Sequence, residues 1–322
     1  VRKSCIWGGI VVPFVSVSVL GFPCVKSGFF PASTTPLFVV DYWLPQGTDI
    51  TKTARDIEEL EKFVSRLDGV NAVQASIGAG APRFMLVYSP ESQNSAYGQL
   101  LVRTDNYQMI DGLMPEIQNY IGETFPQAQG KVWRFVLGPG GGSKIEAEFS
   151  GPDPKVLRDL ANQAKAIMVA DGGALSIKDN WRQPVSVIEP VYAKNAGQRA
   201  GVSREDLALA LQTNFSGRTV GVYRENDELI PIISRAPEHE RLDIDNIRNI
   251  QVLSSVTGQA VPIGQVTDGC RTVWRDGSVR RENRYWKIKA QSDPYPYELP
   301  TELFSRVRPA MDAIDLPDGY QL

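Results

Sequence analysis

The sequence predicts an α+β protein built from two β-α-β-β-α-β units in tandem, the second opened by a large insert. Three observations carry this reading. Short β-rich runs alternate with stretches whose apolar residues recur every three or four positions. After the glycine-rich "GPGGGS" at 138–143 the same order of pieces begins again. That second series stops after its third piece and resumes only beyond residues 183–272, a gap too long for a loop in a compact domain.

The chain opens on an apolar segment. Cys5 to Val25 carries no charged side chain and follows Arg2 and Lys3. Roughly 20 apolar residues cross the ~30 Å hydrocarbon core as a helix, and a basic start favours a cytoplasmic flank, so the rest is expected on the far side. Gly8, Gly9, Pro13 and Gly21 weaken the helix, although such residues are commoner in membrane helices than in soluble ones. A cleaved signal peptide is the competing reading, but the core is long for one and no small-residue cleavage site follows. The first residue is Val1 rather than Met, which suggests an excised fragment.

In the first unit Phe38 to Leu44 reads as a strand. Ala54, Ile57, Leu60, Val64 and Leu67 keep helical spacing, with Thr48 or Asp49 to cap the start and Gly69 to end it. Val70–Ser76 and Gly98–Arg103 read as strands on either side of the loop "IGAGAPRFMLVYSPESQNS". A second helix carries Ile110, Leu113, Ile117 and Ile121, and the strand "KVWRFVL" at 131–137 closes the set. This is the ferredoxin-like arrangement, an antiparallel sheet with two helices on one face. The second unit offers a strand at Ile145–Phe149, a helix capped at Asp153-Pro154 with Leu157, Leu160, Ala164 and Ile167 on one side, and a strand at Leu175–Asp179. It is completed by "RYWKIKAQ" at 284–291, a helix through Leu303, Val307, Met311 and Ile314 interrupted at Pro309, and a strand starting in "GYQL". Inside the insert, Ser203 and Asp206 form a capping-box-like start, and "TVGVYRENDELIPIIS" at 219–234 reads as a hairpin turning at Asn226-Asp227.

Composition removes several function classes. With 322 residues, 42% hydrophobic and 22% charged, the balance is that of ordinary globular domains. A net charge of -3 argues against a nucleic-acid partner. Of three cysteines two lie in the apolar segment, so no disulfide framework follows. The lone histidine, His239, sits in a polar loop-like stretch and reads as solvated. Enzymatic readings fare poorly. "GPGGGSK" lacks the Gly-Lys-Ser/Thr of a phosphate loop, Ser76 lacks the first glycine of a nucleophile elbow, and Glu58, Glu59 and Glu61 lie on a solvated helix face. No enzyme activity, cofactor or resident metal is expected.

The stretch "FFPASTTPLFVVDYWLPQGTDI" at 29–50 runs from the apolar segment through a Phe-Pro turn into a strand and Leu-Pro-x-Gly before a helix. With "NAGQRAGVSREDLALALQTNFSGRTVGVYRENDELIPIISRAPE", "VPIGQV" and "LPDGY", in that order and spacing, it resembles the second large periplasmic loop of resistance-nodulation-division (RND) efflux transporters of the AcrB/AcrD/AcrF type. The resemblance covers nearly the whole chain. It implies a transmembrane segment and periplasmic exit at 1–29, a first porter subdomain at 30–142, a second in two parts at 143–182 and 273–322, and a docking subdomain at 183–272. It further implies a proton-driven homotrimer of the bacterial inner membrane with this region in the periplasm. The implied partners are a periplasmic adaptor (membrane fusion protein) and an outer-membrane channel, and the implied activity is efflux of multiple drugs or other small amphiphilic molecules. The proton-coupling residues of the family sit in other membrane helices. A soluble small-molecule sensor of tandem ferredoxin-like units is the alternative class. Within transporters, a relative exporting lipids or metal ions is the closer rival; metal export calls for Met, His or Cys, of which the soluble part offers few.

The resemblance also nominates residues. Trp133, Phe135 and Leu137 alternate on the strand that lines the family's access pocket. The loop from Gly78 through Gly80 and Pro82 to Phe84 matches its flexible switch loop, with Ala79, Ala81 and Pro82 where drug pumps often carry phenylalanines, so Pro82 is expected to stiffen it. Lys178, Asp179 and Asn180 stand where those pumps tend to show Arg-Pro-Asn, keeping a cation and an amide at the entrance. Thr219, Tyr223, Asn226 and Asp227 on the insert's hairpin are expected to touch a neighbouring protomer.

Overall fold

In the computed structural model, residues 32–86, 88–136, 142–241, 244–295 and 298–322 are described. The apolar segment Cys5–Val25 and Leu137 lie outside them. Among the described residues no helix is long and apolar enough to cross a membrane.

The first unit runs β1 (Leu37–Trp43), α1 (Ile50–Val64), β2 (Val70–Ile77), β3 (Tyr97–Thr104), α2 (Ile110–Thr124) and β4 (Gln129–Arg134). Its sheet order is β2-β3-β1-β4 and every pairing is antiparallel, which is the ferredoxin-like topology. Alternation along β1 sends Phe38, Val40 and Tyr42 to the helix side, where they are buried against Ile57 and Leu60 of α1 and Ile117 and Ile121 of α2. The Asp49 carboxylate caps α1 by accepting from the Thr51 amide at 2.7 Å. Gly69, at φ 83°, makes the turn into β2 that a side chain would oppose.

The opposite sheet face is mixed in character. Val39 of β1 lies between Leu101 and Trp133, and one pleat further on Asp41 lies between Gln99 and Lys131. An aromatic and apolar row is therefore followed by a polar one. Strand β4 stops at Arg134, short of the expected 137, and Val136 instead forms an isolated bridge with Ala32.

The second unit begins with β5 (Ile145–Gly151), α3 (Pro154–Asp171) and β6 (Ala174–Asp179). The chain then passes through β7 (Pro184–Tyr192), α4 (Lys194–Ala200), α5 (Arg204–Phe215), the hairpin β8 (Arg218–Glu225) and β9 (Glu228–Ser234), α6 (Glu238–Arg241), and the strands β10 (Gln251–Leu253), β11 (Ala260–Pro262) and β12 (Thr267–Asp276). It returns with β13 (Arg280–Glu282), β14 (Tyr285–Pro294) and α7 (Pro300–Asp312). Strand β14 is central: it pairs with β5 on one side and with β6 and β13 on the other, all antiparallel. Residues 145–179 and 285–294 thus form one sheet despite the intervening insert. Phe149, Leu157, Leu160, Trp181, Ile288 and Leu303 make its core.

Two expectations are corrected here. Pro309 does not interrupt α7, which continues to Asp312: the proline is exposed, while Leu303, Val307 and Met311 on the other side are buried and hold the helix in place. The segment "GYQL" forms a single bridge, Ser150 with Gln321, rather than a strand.

The molecule divides into two compact units, Val1–Val185 with Asp276–Leu322, and Ser186–Arg275. The latter has its own core of Val202, Leu207, Ile250, Val252, Ile263 and Val266. A complete capping box between Ser203 and Asp206 starts α5. Strands β7 and β12 pair, bringing the two ends of the insert together. Asn226 takes φ 52° in the two-residue turn between β8 and β9, the backbone a tight hairpin needs.

One guanidinium closes the junction from the parent side. Arg158 of α3 donates to the Asp179 carboxylate and to the Arg182 carbonyl at 2.8 Å each, and it also pairs with Asp276, where the chain re-enters. Asp179 is 4% exposed and takes a second cation, Lys165, at 2.6 Å.

Candidate functional site

Two adjoining cavities lie along the seam between the ferredoxin-like units. One, of about 490 Å³, is polar and includes Asp41, Tyr97, Trp133, Lys178 and Arg182 in its wall. The other, of about 750 Å³, is largely apolar and includes Met114, Pro115, Val132, Leu175 and Pro294. Lys131, Trp133 and Gly142 line both. Among the described residues the seam is crossed by few polar contacts: Gln129 Nε2 donates to the Ile177 carbonyl at 2.9 Å, Arg182 donates to Gln129 Oε1 at 3.5 Å, and Lys131 pairs with Asp293 at 2.7 Å. Arg182 stacks 3.6 Å from the centroid of the Trp43 ring.

Asp41 organises the polar cavity. Its carboxylate accepts from Tyr97 Oη at 2.6 Å, Gln99 Nε2 at 3.0 Å and Trp133 Nε1 at 2.6 Å. Burial and the adjacent Asp41 charge push the Tyr97 hydroxyl well above the usual tyrosine range, so it remains a donor. Gln99 passes the network onward, accepting at Oε1 from Tyr88 Oη at 2.8 Å and from the Ala81 amide at 3.0 Å. The long β2–β3 loop is thereby tied to the sheet.

The residues nominated from sequence separate into groups. Trp133 stands between the two cavities. Phe135, 1% exposed, packs against Trp133 at 5.1 Å, Phe84 at 5.9 Å and Tyr88 at 6.3 Å between ring centroids. Gly78, Gly80, Pro82 and Phe84 line neither cavity; the part of the loop that does is Tyr88 to Glu91. Gly80 is a close-approach position, since a Cβ there would sit 2.6 Å from the Glu91 amide nitrogen and 2.9 Å from Tyr88 Oη. Lys178 and Asn180 both line the polar cavity, but the Asn180 side chain is engaged, accepting from the Lys289 amide at 2.9 Å. Lys178 has its ammonium pulled down to about 8, by burial first and then by the Arg182 and Lys131 charges. Thr219, Tyr223, Asn226 and Asp227 lie on the exposed hairpin of the 186–275 unit.

Sequence reasoning passed over Asp41, Gln99, Tyr88 and Arg182. One signal was available for Asp41: an acid in the middle of "LFVVDYW" must face away from Val40 and Tyr42, onto the sheet face that the helices leave uncovered. Among the described residues no group of three or more His, Cys, Asp or Glu is arranged to hold a metal ion.

A family profile described as the AcrB/AcrD/AcrF family matches residues 1–322. The chain belongs to that family, the RND efflux transporters. Among its relatives, the nickel and cobalt resistance protein CnrA of Cupriavidus metallidurans is 22% identical over 293 residues, 85% of this chain and 27% of the relative. The cation efflux system protein CzcA of Alcaligenes sp. is 22% identical over 266 residues, 78% of this chain and 25% of the relative. The chain therefore spans about a quarter of the length of these relatives. Crystal structures of a heavy metal efflux pump in two forms share the fold, with TM-scores of 0.75 and 0.78 at 16% identity, covering 97% and 99% of this chain and 33% of the pump chain.

Proposed function

We propose that this chain is the periplasmic porter portion of an RND efflux pump and that cargo passes through the seam between its two ferredoxin-like units. The observation that carries the reading is the pair of adjoining cavities at that seam, in a chain of transporter family. A path for cargo must open and close, and a seam held, among the described residues, by two hydrogen bonds, one ion pair and one stacked guanidinium can separate without disturbing either core. The whole pump is expected in the bacterial inner membrane as a proton-driven trimer, working with an adaptor and an outer-membrane channel.

Two cargo classes have support. The names of the relatives, which concern nickel, cobalt and other cations, favour metal ions, against the sequence expectation that ranked metal export low for want of Met, His and Cys. The lining favours a small amphiphile, because an aromatic and apolar chamber opens onto a polar one. The deciding experiment expresses the full-length transporter with its adaptor and channel in an efflux-deficient bacterium. Inhibitory concentrations are then measured for Ni²⁺, Co²⁺, Zn²⁺ and Cd²⁺ and for amphiphilic dyes and detergents. Protection against the metals alone selects the first class, and protection against the amphiphiles selects the second. No protection against either, at normal protein levels, would sink the export reading.

A further inference from the structure

The charges of the polar cavity are unevenly satisfied. Lys131 has Asp293, and Lys289 has Glu146 and Glu148 at 3.0 and 3.2 Å. On the acidic side, Asp41 is filled by three donors, Glu146 also accepts from Gln291 at 2.6 Å, and Glu282 pairs with Lys287 at 3.1 Å. Two cations are left over. Among the described residues Lys178 has no ion pair or hydrogen bond at its ammonium, and the Arg182 guanidinium has a single long bond, 3.5 Å to Gln129 Oε1, besides its stacking on Trp43. Arg280 and Glu91, at the rim, are exposed. Holding two largely buried cations side by side is costly: Asp41, Asp179, Asp293 and Glu91 offset part of that cost through space, but among the described residues none touches either head group, and a bound anion would relieve the rest.

We propose that Lys178 and Arg182 form an anion subsite that holds the carboxylate head of an amphiphile whose apolar body lies past Trp133 in the larger cavity. The inference rests on the seam being the cargo path and adds the sign of the cargo's charge. Three features support it. A guanidinium and an ammonium converge on one chamber, and the guanidinium can offer a carboxylate two parallel donors. The Asp41 carboxylate, the part-buried acceptor in the same wall, is already filled by three donors. The second chamber is apolar and joins the first at Trp133, which gives head and body separate surroundings. The depressed ammonium of Lys178 adds a pH signature: facing Arg182, Lys131, Asp293 and Asp41, it is charged below about 8 and loses its hold on an anion above that.

The test uses the full-length transporter in lipid nanodiscs and two probes of one shape, 2-naphthoate and 2-naphthamide, with binding read by fluorescence at about pH 6.5 and about pH 9. The wild type should prefer the carboxylate on the order of tenfold at the lower pH, with the preference shrinking at the higher. Lys178→Gln should bring the ratio close to one. Lys178→Arg should keep the preference at both pH values, because a guanidinium stays charged; it also guards against a Gln variant that merely fails to fold. Equal affinities in the wild type, a preference that survives Lys178→Gln, or displacement of 2-naphthoate by Co²⁺ would overturn the anion subsite while leaving the cargo path standing. Failure of both probes to bind would overturn the cargo path and the subsite together.

Discussion

Asp41 shows how much can hang on one side chain. Its two oxygens take three donors from β3 and β4, so replacement by Asn would put an amide N–H against at least one of them. We expect Asp41→Asn to cost about 1–3 kcal/mol, read as a lower denaturation midpoint of the chain and a changed Trp133 emission; an unmoved midpoint would mean that the network is incidental. Lys178 gives a prediction of opposite sign. Its pKa is lower folded than unfolded, so between about 8 and its ordinary value the unfolded chain binds more protons and stability rises with pH. Below about 8 the cost of charging it in place is fully present. Lys178→Met should therefore raise the midpoint at neutral pH and flatten the rise through that window, and a variant with the wild-type profile would refute the assignment. The letters Asp41 and Lys178 were both readable in the sequence, and alternation fixes the face of the first. Their partners were not, because Gln99 and Trp133 are brought to Asp41 by strand order, and Arg182 to Lys178 by a turn at φ 62°, which local pattern does not report.

At the scale of elements the β2–β3 loop is the instructive case. Its glycines suggested freedom to move, yet Gly80 is where two arms of the loop touch, its amide donating to the Glu91 carbonyl at 3.1 Å. Gly80→Ala should push Tyr88 off Gln99, exposing a phenol now 2% accessible and leaving a buried acceptor short of a donor. The expected loss is about 1–3 kcal/mol, visible as faster amide exchange at Ala81; unchanged exchange would show that the arms can part freely. Pro82 is exposed, and Pro82→Gly should cost only about 0.4–1 kcal/mol, through the unfolded chain. A larger loss would reveal contacts absent from the structure. The helices of both units were legible because four-residue spacing of Ile, Leu and Val records which side is buried. The end of α7 was misread for the converse reason: a proline on an exposed face removes one bond while three buried side chains keep the helix whole.

At the scale of the molecule, the hairpin β8–β9 is unlike the rest. Val220, Val222, Tyr223, Leu229, Ile232 and Ile233 are each more than half exposed, on an element that is two-stranded among the described residues. Replacing Tyr223 and Ile232 by Ser is expected to leave the 186–275 core folded and to lower the fraction of full-length transporter recovered as trimer in native mass spectrometry. An undiminished trimer would remove the hairpin from the protomer contact. The tandem plan was legible because each unit repeats one order of elements, and the insert because that order breaks; the pairing of its two ends, β7 with β12, was not. The placement of β14 has a consequence for how the protein is made. The strand that fills the middle of the second sheet leaves the ribosome about a hundred residues after β5 and β6, which must flank it. Until then those two strands border an empty slot over Phe149, with backbone donors and acceptors unanswered on both sides. A chain halted before Tyr285 is thus a receptor for its own missing strand, and a synthetic peptide of Tyr285–Pro294 supplied from outside should complete it.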